Sequence, residues 1–84
     1  MKLTVQYYAL YRERTGLRYE VLDLEDDSSV SDILMAVRSR HPNLAPVEIE
    51  ILVAVNEEYA SKDQRLSSGD CVALIPPVSG GTTL

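Results

Sequence analysis

Residues 29–42 read SVSDILMAVRSRHP and carry the clearest helix pattern of the chain. The apolar side chains of this stretch recur at intervals of three and four residues, which places them on one face of a helix. They are Val30, Ile33, Leu34 and Val37. Ser29 and Asp32 have the spacing of a capping box at the helix start. Because a residue before proline avoids the helical region, His41-Pro42 ends the helix.

Short strand patterns lie on both sides of this helix. Residues 3–8 alternate between apolar and polar side chains, as expected for a strand with one buried face. The other predicted strands are residues 18–24, the β-branched run 49–55, a short return strand beginning at 59–60 after a turn at 56–58, and residues 71–75. Residues 9–15 suit a short helix that Gly16 ends. These elements predict an α+β roll, in which one main helix crosses a sheet of four or five strands with 49–55 as a central strand.

Composition restricts the classes of function. The 84 residues carry a net charge of −5, which argues against nucleic-acid binding, because that depends on clustered Lys and Arg, and favours a partner with a basic docking face. The single cysteine allows no intrachain disulfide and too few ligands for an iron–sulfur cluster or zinc site. No membrane span or signal-peptide pattern is visible. We therefore expect a soluble cytoplasmic protein that binds no metal.

The last segment, residues 71–84, reads CVALIPPVSGGTTL and contains no charged side chain. Pro76 and Pro77 cannot continue a sheet ladder and favour an extended direction, so they project the tail away from the body. Gly80 and Gly81 lack Cβ atoms and suit a channel too narrow for other residues. The sequence predicts a folded domain over residues 1–78 and a flexible tail over 79–84 that carries Gly80-Gly81.

Three segments together resemble a known family. Residues 69–81, GDCVALIPPVSGG, are similar to the C-terminal signature of the small subunit of molybdopterin synthase, the MoaD-type sulfur carriers. Residues 8–16, YALYRERTG, are similar to that family's first-strand exit and short helix, and residues 53–59, VAVNEEY, to its hairpin. The resemblance spans nearly the whole chain and implies the ubiquitin-like β-grasp fold.

The resemblance also implies a chemistry in which Gly81 is the functional residue. A partner related to ubiquitin-activating enzymes adenylates the terminal glycine with ATP, and sulfur then replaces AMP to give a thiocarboxylate. The large synthase subunit directs this sulfur onto cyclic pyranopterin monophosphate. Gly80 would thread the active sites of both partners. The preceding residues, Pro76, Pro77, Val78 and Ser79, would set the reach of the tail and line the channel. The chain itself would bind no cofactor and would not be an enzyme alone.

One departure from the family pattern is the extension Thr82-Thr83-Leu84, which follows the second glycine. Gly81 acquires a free carboxylate only after these residues are removed, so a C-terminal processing protease is expected. The alternatives are a sulfur carrier for cysteine or thiazole synthesis, a protein-conjugating modifier, and a β-grasp interaction module whose tail does no chemistry. Thiazole-type carriers are usually shorter and lack the 9–15 insertion, which argues against that pathway.

Two further groups of residues have alternative interpretations. Strand alternation places Tyr7 and Tyr8 on opposite sides, so at most one belongs to the core and the other contributes to a docking surface. Cys71 is interpreted as a small buried hydrophobe in its strand and His41 as a helix-end residue. A catalytic Cys71–His41 pair is disfavoured, because one cysteine and one histidine specify little by themselves.

Overall fold

The computed structural model describes residues 1–77, which form five strands and two helices. In chain order the elements are β1 (Lys2–Tyr7), α1 (Ala9–Thr15), β2 (Tyr19–Asp23), α2 (Val30–Arg40), β3 (Leu52–Val55), β4 (Glu58–Tyr59) and β5 (Cys71–Ile75). The predicted tail and the candidate residues Val78, Ser79, Gly80 and Gly81 lie outside the described residues. Neither helix of residues 1–77 has the length and apolar character needed to cross a membrane.

The strands form one mixed sheet in the order β2-β1-β5-β3-β4. β1 and β5 run parallel at its centre, and the other neighbouring pairs are antiparallel. A parallel pair needs a crossover connection, and the segment that contains α2 provides it. This arrangement confirms the α+β roll, with α2 as its one main helix.

The core lies between α2 and the face of the sheet that α2 covers. Leu3, Val5 and Tyr7 alternate along β1 and are at most 1% exposed. The four apolar residues of the α2 pattern are all buried against them, as the spacing predicted. Hydrophobic burial of this kind is the main contribution to the stability of such a small domain.

The start of α2 and the end of α1 form as their sequences predict. The Ser29 hydroxyl accepts a hydrogen bond from the backbone N–H of Asp32, and the Asp32 carboxylate accepts one from the backbone N–H of Ser29 at 2.9 Å. Helix α1 ends at Gly16, whose φ of 75° is left-handed and whose N–H donates to the Arg12 carbonyl. Glycine adopts this conformation without the steric cost that a Cβ brings.

The third strand differs from the prediction, because β3 begins at Leu52 rather than at residue 49. The Arg38 guanidinium, on α2, donates hydrogen bonds to the carbonyl oxygens of Ala45 and Pro46 and, at 2.9 Å, of Ile49. The backbone before Leu52 is therefore bound to a helix side chain. As predicted, β3 lies inside the sheet, where it pairs with β5 on one side and with the edge strand β4 on the other, while β5 occupies the middle position.

The hairpin between β3 and β4 is tighter than predicted. Its two connecting residues, Asn56 and Glu57, have φ values of 50° and 74°. Positive φ at both positions is what a two-residue type I′ hairpin turn requires, and its twist matches that of the flanking strands. β4 consequently starts at Glu58, which the sequence had placed in the turn.

Candidate functional site

The sheet face that points away from α2, which we call the open face, carries small side chains in its centre and tyrosines near its edges. The strand registers align one residue from each strand in a row across this face. The row reads Tyr59, Ala54, Ala73, Gln6 and Tyr19. Tyr59 and Tyr19 are 75% and 62% exposed, whereas Ala54 is 7% exposed. Small residues between large ones leave a hollow in the surface.

This hollow, the open-face depression, has a volume of about 620 Å³. Ala54, Ala73 and Cys71 lie in its floor, and Tyr8 and Tyr59 are among the residues around it. Glu57 is the only charged residue in its lining within residues 1–77. A concave, largely uncharged surface with tyrosines at its rim has the composition of a protein-binding site.

The C-terminal segment leaves the body beside this depression. β5 ends at Ile75, which lines the depression, and the two prolines follow directly. Pro76 is half-buried and Pro77 is exposed. The predicted strand stop is confirmed.

Four acidic residues lie at the other end of the sheet. Asp23 is the last residue of β2, Asp27 follows it, and Glu57 and Asp70 lie beside the start of β5. The net charge had predicted a partner with a basic docking face. These four carboxylates lie at the end of the sheet opposite Ile75, where β5 ends, and the basic docking face of a partner stays a prediction.

A polar cluster on the α2 side of the sheet connects β1, β2 and the end of α2. The Tyr7 hydroxyl donates to Glu20 Oε1 at 2.5 Å, and His41 Nε2 lies 2.6 Å from the same oxygen. Arg40 Nη2 is 3.3 Å from Glu20 Oε2. Burial raises the pKa of Glu20, but the hydrogen bonds from Tyr7 and His41 outweigh it and hold the pKa below its ordinary value. Burial, together with the Glu20 hydrogen bond, raises the pKa of Tyr7.

Cys71 and His41 do not form a catalytic pair, because they lie on opposite faces of the sheet. Cys71 is in the floor of the open-face depression, while the His41 ring packs edge-on against the buried Tyr7 ring at 5.7 Å. The Cys71 N–H donates to Asn56 Oδ1, which fixes the strand start beside the turn. Cys71 is half-buried and forms part of a surface, which differs from the fully buried position that its strand pattern predicted.

The tyrosines divide between the core and the open face. Tyr7 and Tyr11 are at most 1% exposed, whereas Tyr8, Tyr19 and Tyr59 are 40% or more exposed. Opposite burial of Tyr7 and Tyr8 is confirmed. Sequence reasoning missed that three tyrosines share one face, because the order of the strands in the sheet determines this. The alternation within each strand was the available signal, but it does not relate one strand to another.

Comparison with known proteins agrees with this architecture. The ThiS family model matches residues 5–81. The molybdopterin synthase sulfur carrier subunit of Homo sapiens is 35% identical over 83 residues, which are 95% of this chain and 94% of that protein. The corresponding subunit of Chlamydomonas reinhardtii is 36% identical over 83 residues, with 96% and 100% of the two chains covered.

A solved structure gives the same result for the fold. The crystal structure of SAMP1, the small archaeal modifier protein 1 of Haloferax volcanii, superposes with a TM-score of 0.85 at 31% identity. The match covers 96% of this chain and 100% of that one. The predicted β-grasp roll is thereby confirmed. With a family match over nearly its whole length and relatives above 30% identity, the chain belongs to the ThiS family and is homologous to molybdopterin synthase sulfur carrier subunits.

Proposed function

We propose that this chain is the sulfur carrier subunit of a molybdopterin synthase and that Gly81 is its working terminus. The observation that carries the proposal is where the family match ends: it runs to residue 81, the second glycine, and leaves out Thr82-Thr83-Leu84. The uncharged segment that carries this glycine follows Ile75, the last residue of β5, which lines the open-face depression. In the sequence, the proposed reactive glycine therefore follows the last residue of the docking surface, Ile75, by six positions.

The proposed reaction begins with removal of Thr82-Thr83-Leu84 by a processing protease. The freed Gly81 carboxylate attacks the α-phosphate of ATP in a partner adenylyltransferase, which releases pyrophosphate and forms an acyl adenylate. A sulfur nucleophile then displaces AMP and leaves a thiocarboxylate. The large synthase subunit directs this sulfur onto cyclic pyranopterin monophosphate. ATP belongs to the activating partner, and this chain binds no cofactor of its own.

Within this scheme the residues of the chain have mechanical roles. Pro76 and Pro77 direct the tail outward, Val78 and Ser79 extend its reach, and Gly80 passes through the narrowest part of the partner's channel. The open face docks against the large subunit, which makes the working form a heteromer. An uncharged tail favours entry into a protein channel, because a charged side chain would lose its hydration there. We place these steps in the cytoplasm.

The first test is the intact mass of the protein isolated from its native host. A chain that ends at Gly81, with one carboxyl oxygen replaced by sulfur, is the expected result. A chain that keeps Thr82-Thr83-Leu84 while the cofactor is being synthesised would exclude Gly81 as the working terminus. The proposal would then be abandoned in favour of an interaction module.

A reconstituted reaction provides matched controls. Three chains, ending at Gly80, Gly81 and Leu84, are incubated with ATP, a sulfur donor and the host's adenylyltransferase. We expect a thiocarboxylate only on the chain that ends at Gly81, and only this chain should support molybdopterin formation with the large subunit. Equal activity of all three chains would contradict the tail chemistry.

The similarity to SAMP1 favours a second candidate function, protein modification through the same glycine. Both functions need an activated Gly81, but modification joins it to lysine amines of other proteins. Isopeptide-linked adducts in host lysates, absent when Gly81 is deleted, would support this function. A carrier dedicated to sulfur transfer should give none. Carriers for cysteine or thiazole synthesis would be separated by which product is lost when the gene is deleted.

A further inference from the structure

A second, smaller hollow lies where the open face meets the edge strand β2. It has a volume of about 290 Å³ and is lined by residues of β1, α1 and the start of β2. They are Gln6, Tyr7, Tyr8, Arg12, Arg18 and Tyr19. Within residues 1–77 its lining contains two arginines and no carboxylate, although the chain as a whole has a net charge of −5. We call this hollow the arginine pocket.

The backbone of Tyr7 holds both arginines in place. Its N–H donates to the Arg18 carbonyl at 2.9 Å, which fixes the start of β2 beside the end of β1. Its carbonyl oxygen accepts a longer hydrogen bond, 3.4 Å, from Arg12 Nε. The side chain of Tyr7 is fully buried, so this anchor belongs to the core. The backbone of Arg18 and the side chain of Arg12 are therefore both hydrogen-bonded to the backbone of a core residue.

The chemistry of the pocket is that of an anion site. Among residues 1–77 neither Arg12 nor Arg18 forms an ion pair. The side-chain Oε1 of Gln6 accepts a hydrogen bond from the Tyr8 hydroxyl at 3.0 Å, which leaves the side-chain NH₂ of Gln6 as a donor. Arginine presents a planar set of donors that matches a carboxylate with two parallel hydrogen bonds. The exposed ring of Tyr19 adds an apolar side.

We propose that the arginine pocket binds an aspartate or glutamate side chain of the protein that docks on the open face. Gln6 and Tyr8 line both hollows, so a partner seated in the open-face depression reaches the pocket without a gap. The volume suits one side chain and lies at the lower limit of small-molecule sites. This inference rests on the proposed function, in which the docked protein is the large synthase subunit.

The test measures binding of the chain that ends at Gly81, the working form in the proposed function, to the large synthase subunit of the same organism by calorimetry. The variants are R12Q, R18Q and the double variant, which remove charge but keep side-chain length. The matched control is R65Q, which removes an exposed arginine at the opposite end of the sheet. We expect each pocket variant to weaken binding roughly tenfold and the control to leave it unchanged. R18K should recover only part of the affinity, because lysine lacks the planar pair of donors.

Two further readouts test the nature of the contact: salt tests whether it depends on charge, and small anions test whether the pocket binds them instead of a protein side chain. Added salt should weaken wild-type binding and have little effect on the double variant. ATP and pyrophosphate, titrated into the isolated chain and followed by NMR, should not shift the Arg18 and Tyr19 amide signals. Saturable shifts with these ligands would overturn the inference in favour of a small-anion site.

The remaining outcomes are distinguishable. If the wild type binds the large subunit and the pocket variants bind equally well, the pocket inference is wrong and the proposed function stands. If the wild type does not bind the large subunit, the proposed function fails and the inference fails with it.

Discussion

His41 and Glu20 are joined side chain to side chain, with 2.6 Å between Nε2 and Oε1, although 21 residues separate them in the chain. The contact connects the end of α2 to the edge strand β2, which within residues 1–77 pairs with β1 alone. The Tyr7 hydroxyl binds the same Glu20 oxygen from β1. Three elements thus meet at one carboxylate next to the position of the arginine pocket.

The substitution Tyr7→Phe should lower the free energy of unfolding by about 1–2 kcal/mol. The ring stays in the core, but Glu20 loses a hydrogen-bond donor in a half-buried site. Urea unfolding followed by circular dichroism measures the difference. Tyr19→Phe is the control, because the Tyr19 side chain is exposed and should change stability little. Equal effects of the two substitutions would show that the Tyr7–Glu20 bond contributes nothing.

The stability of the fold should decrease in acid, in part because of Glu20. Its folded-state pKa lies below the ordinary 4.5, so the charged form is favoured by folding. This stabilisation is fully present above the ordinary pKa and is lost as pH falls through the folded one. Glu20→Gln should therefore be less stable than the wild type at neutral pH. The difference in stability between wild type and variant, measured by thermal unfolding, should narrow as the pH falls below about 5.

A residual acid sensitivity should remain in Glu20→Gln. The Asp32 carboxylate accepts the Ser29 backbone and hydroxyl hydrogen bonds, which hold its pKa below its ordinary value. Asp32 therefore also stabilises the folded state at neutral pH and loses this contribution in acid. A gap between wild type and Glu20→Gln that stays constant over the whole range would show that the Glu20 pKa is not lowered by folding.

The substitution Glu57→Gly should stabilise the protein by about 0.5–1 kcal/mol. Glu57 has a φ of 74°, which is unfavourable for a residue with a Cβ. Asn-Gly is the preferred sequence for a type I′ turn. Thermal unfolding measures the effect, with Glu58→Gly as the control, because Glu58 lies in a strand where glycine is destabilising. Loss of stability in both variants would contradict the turn assignment.

The substitution Ala73→Arg should weaken binding to the large synthase subunit by roughly tenfold or more, because it fills the floor of the open-face depression. Met35→Arg is the matched control, since Met35 is 68% exposed on α2, on the other side of the sheet. Circular dichroism checks that both variants fold. Equal loss of affinity in the two variants would indicate that docking does not use the open face.

Much of the fold was predictable from local patterns. The spacing of apolar residues in α2, the capping box at Ser29 and the left-handed Gly16 were all confirmed, because each depends on residues a few positions apart. The predicted start of β3 was wrong, because the Arg38 side chain, 11 positions earlier in the chain, binds the Ile49 carbonyl. Pattern reasoning has no means of seeing which backbone groups a distant side chain will bind.

Part of the candidate site was likewise predictable from the sequence, and part was not. The tail residues that carry the proposed chemistry are visible in the sequence as an uncharged segment with two prolines and two glycines. The open-face depression and the arginine pocket are not. Both depend on the strand order, which brings Ala54 of β3 beside Ala73 of β5 and Arg18 beside the end of β1.

The sequence by itself therefore determined the helices, the strand content, the helix caps and the uncharged composition of the C-terminal segment, since these follow from short-range sterics, periodicity and residue type. The tertiary structure alone decided which side chains share a surface. Strand order, sheet register and the contact between Glu20 and His41 arise from long-range pairing, whose geometry is set by packing of the whole core.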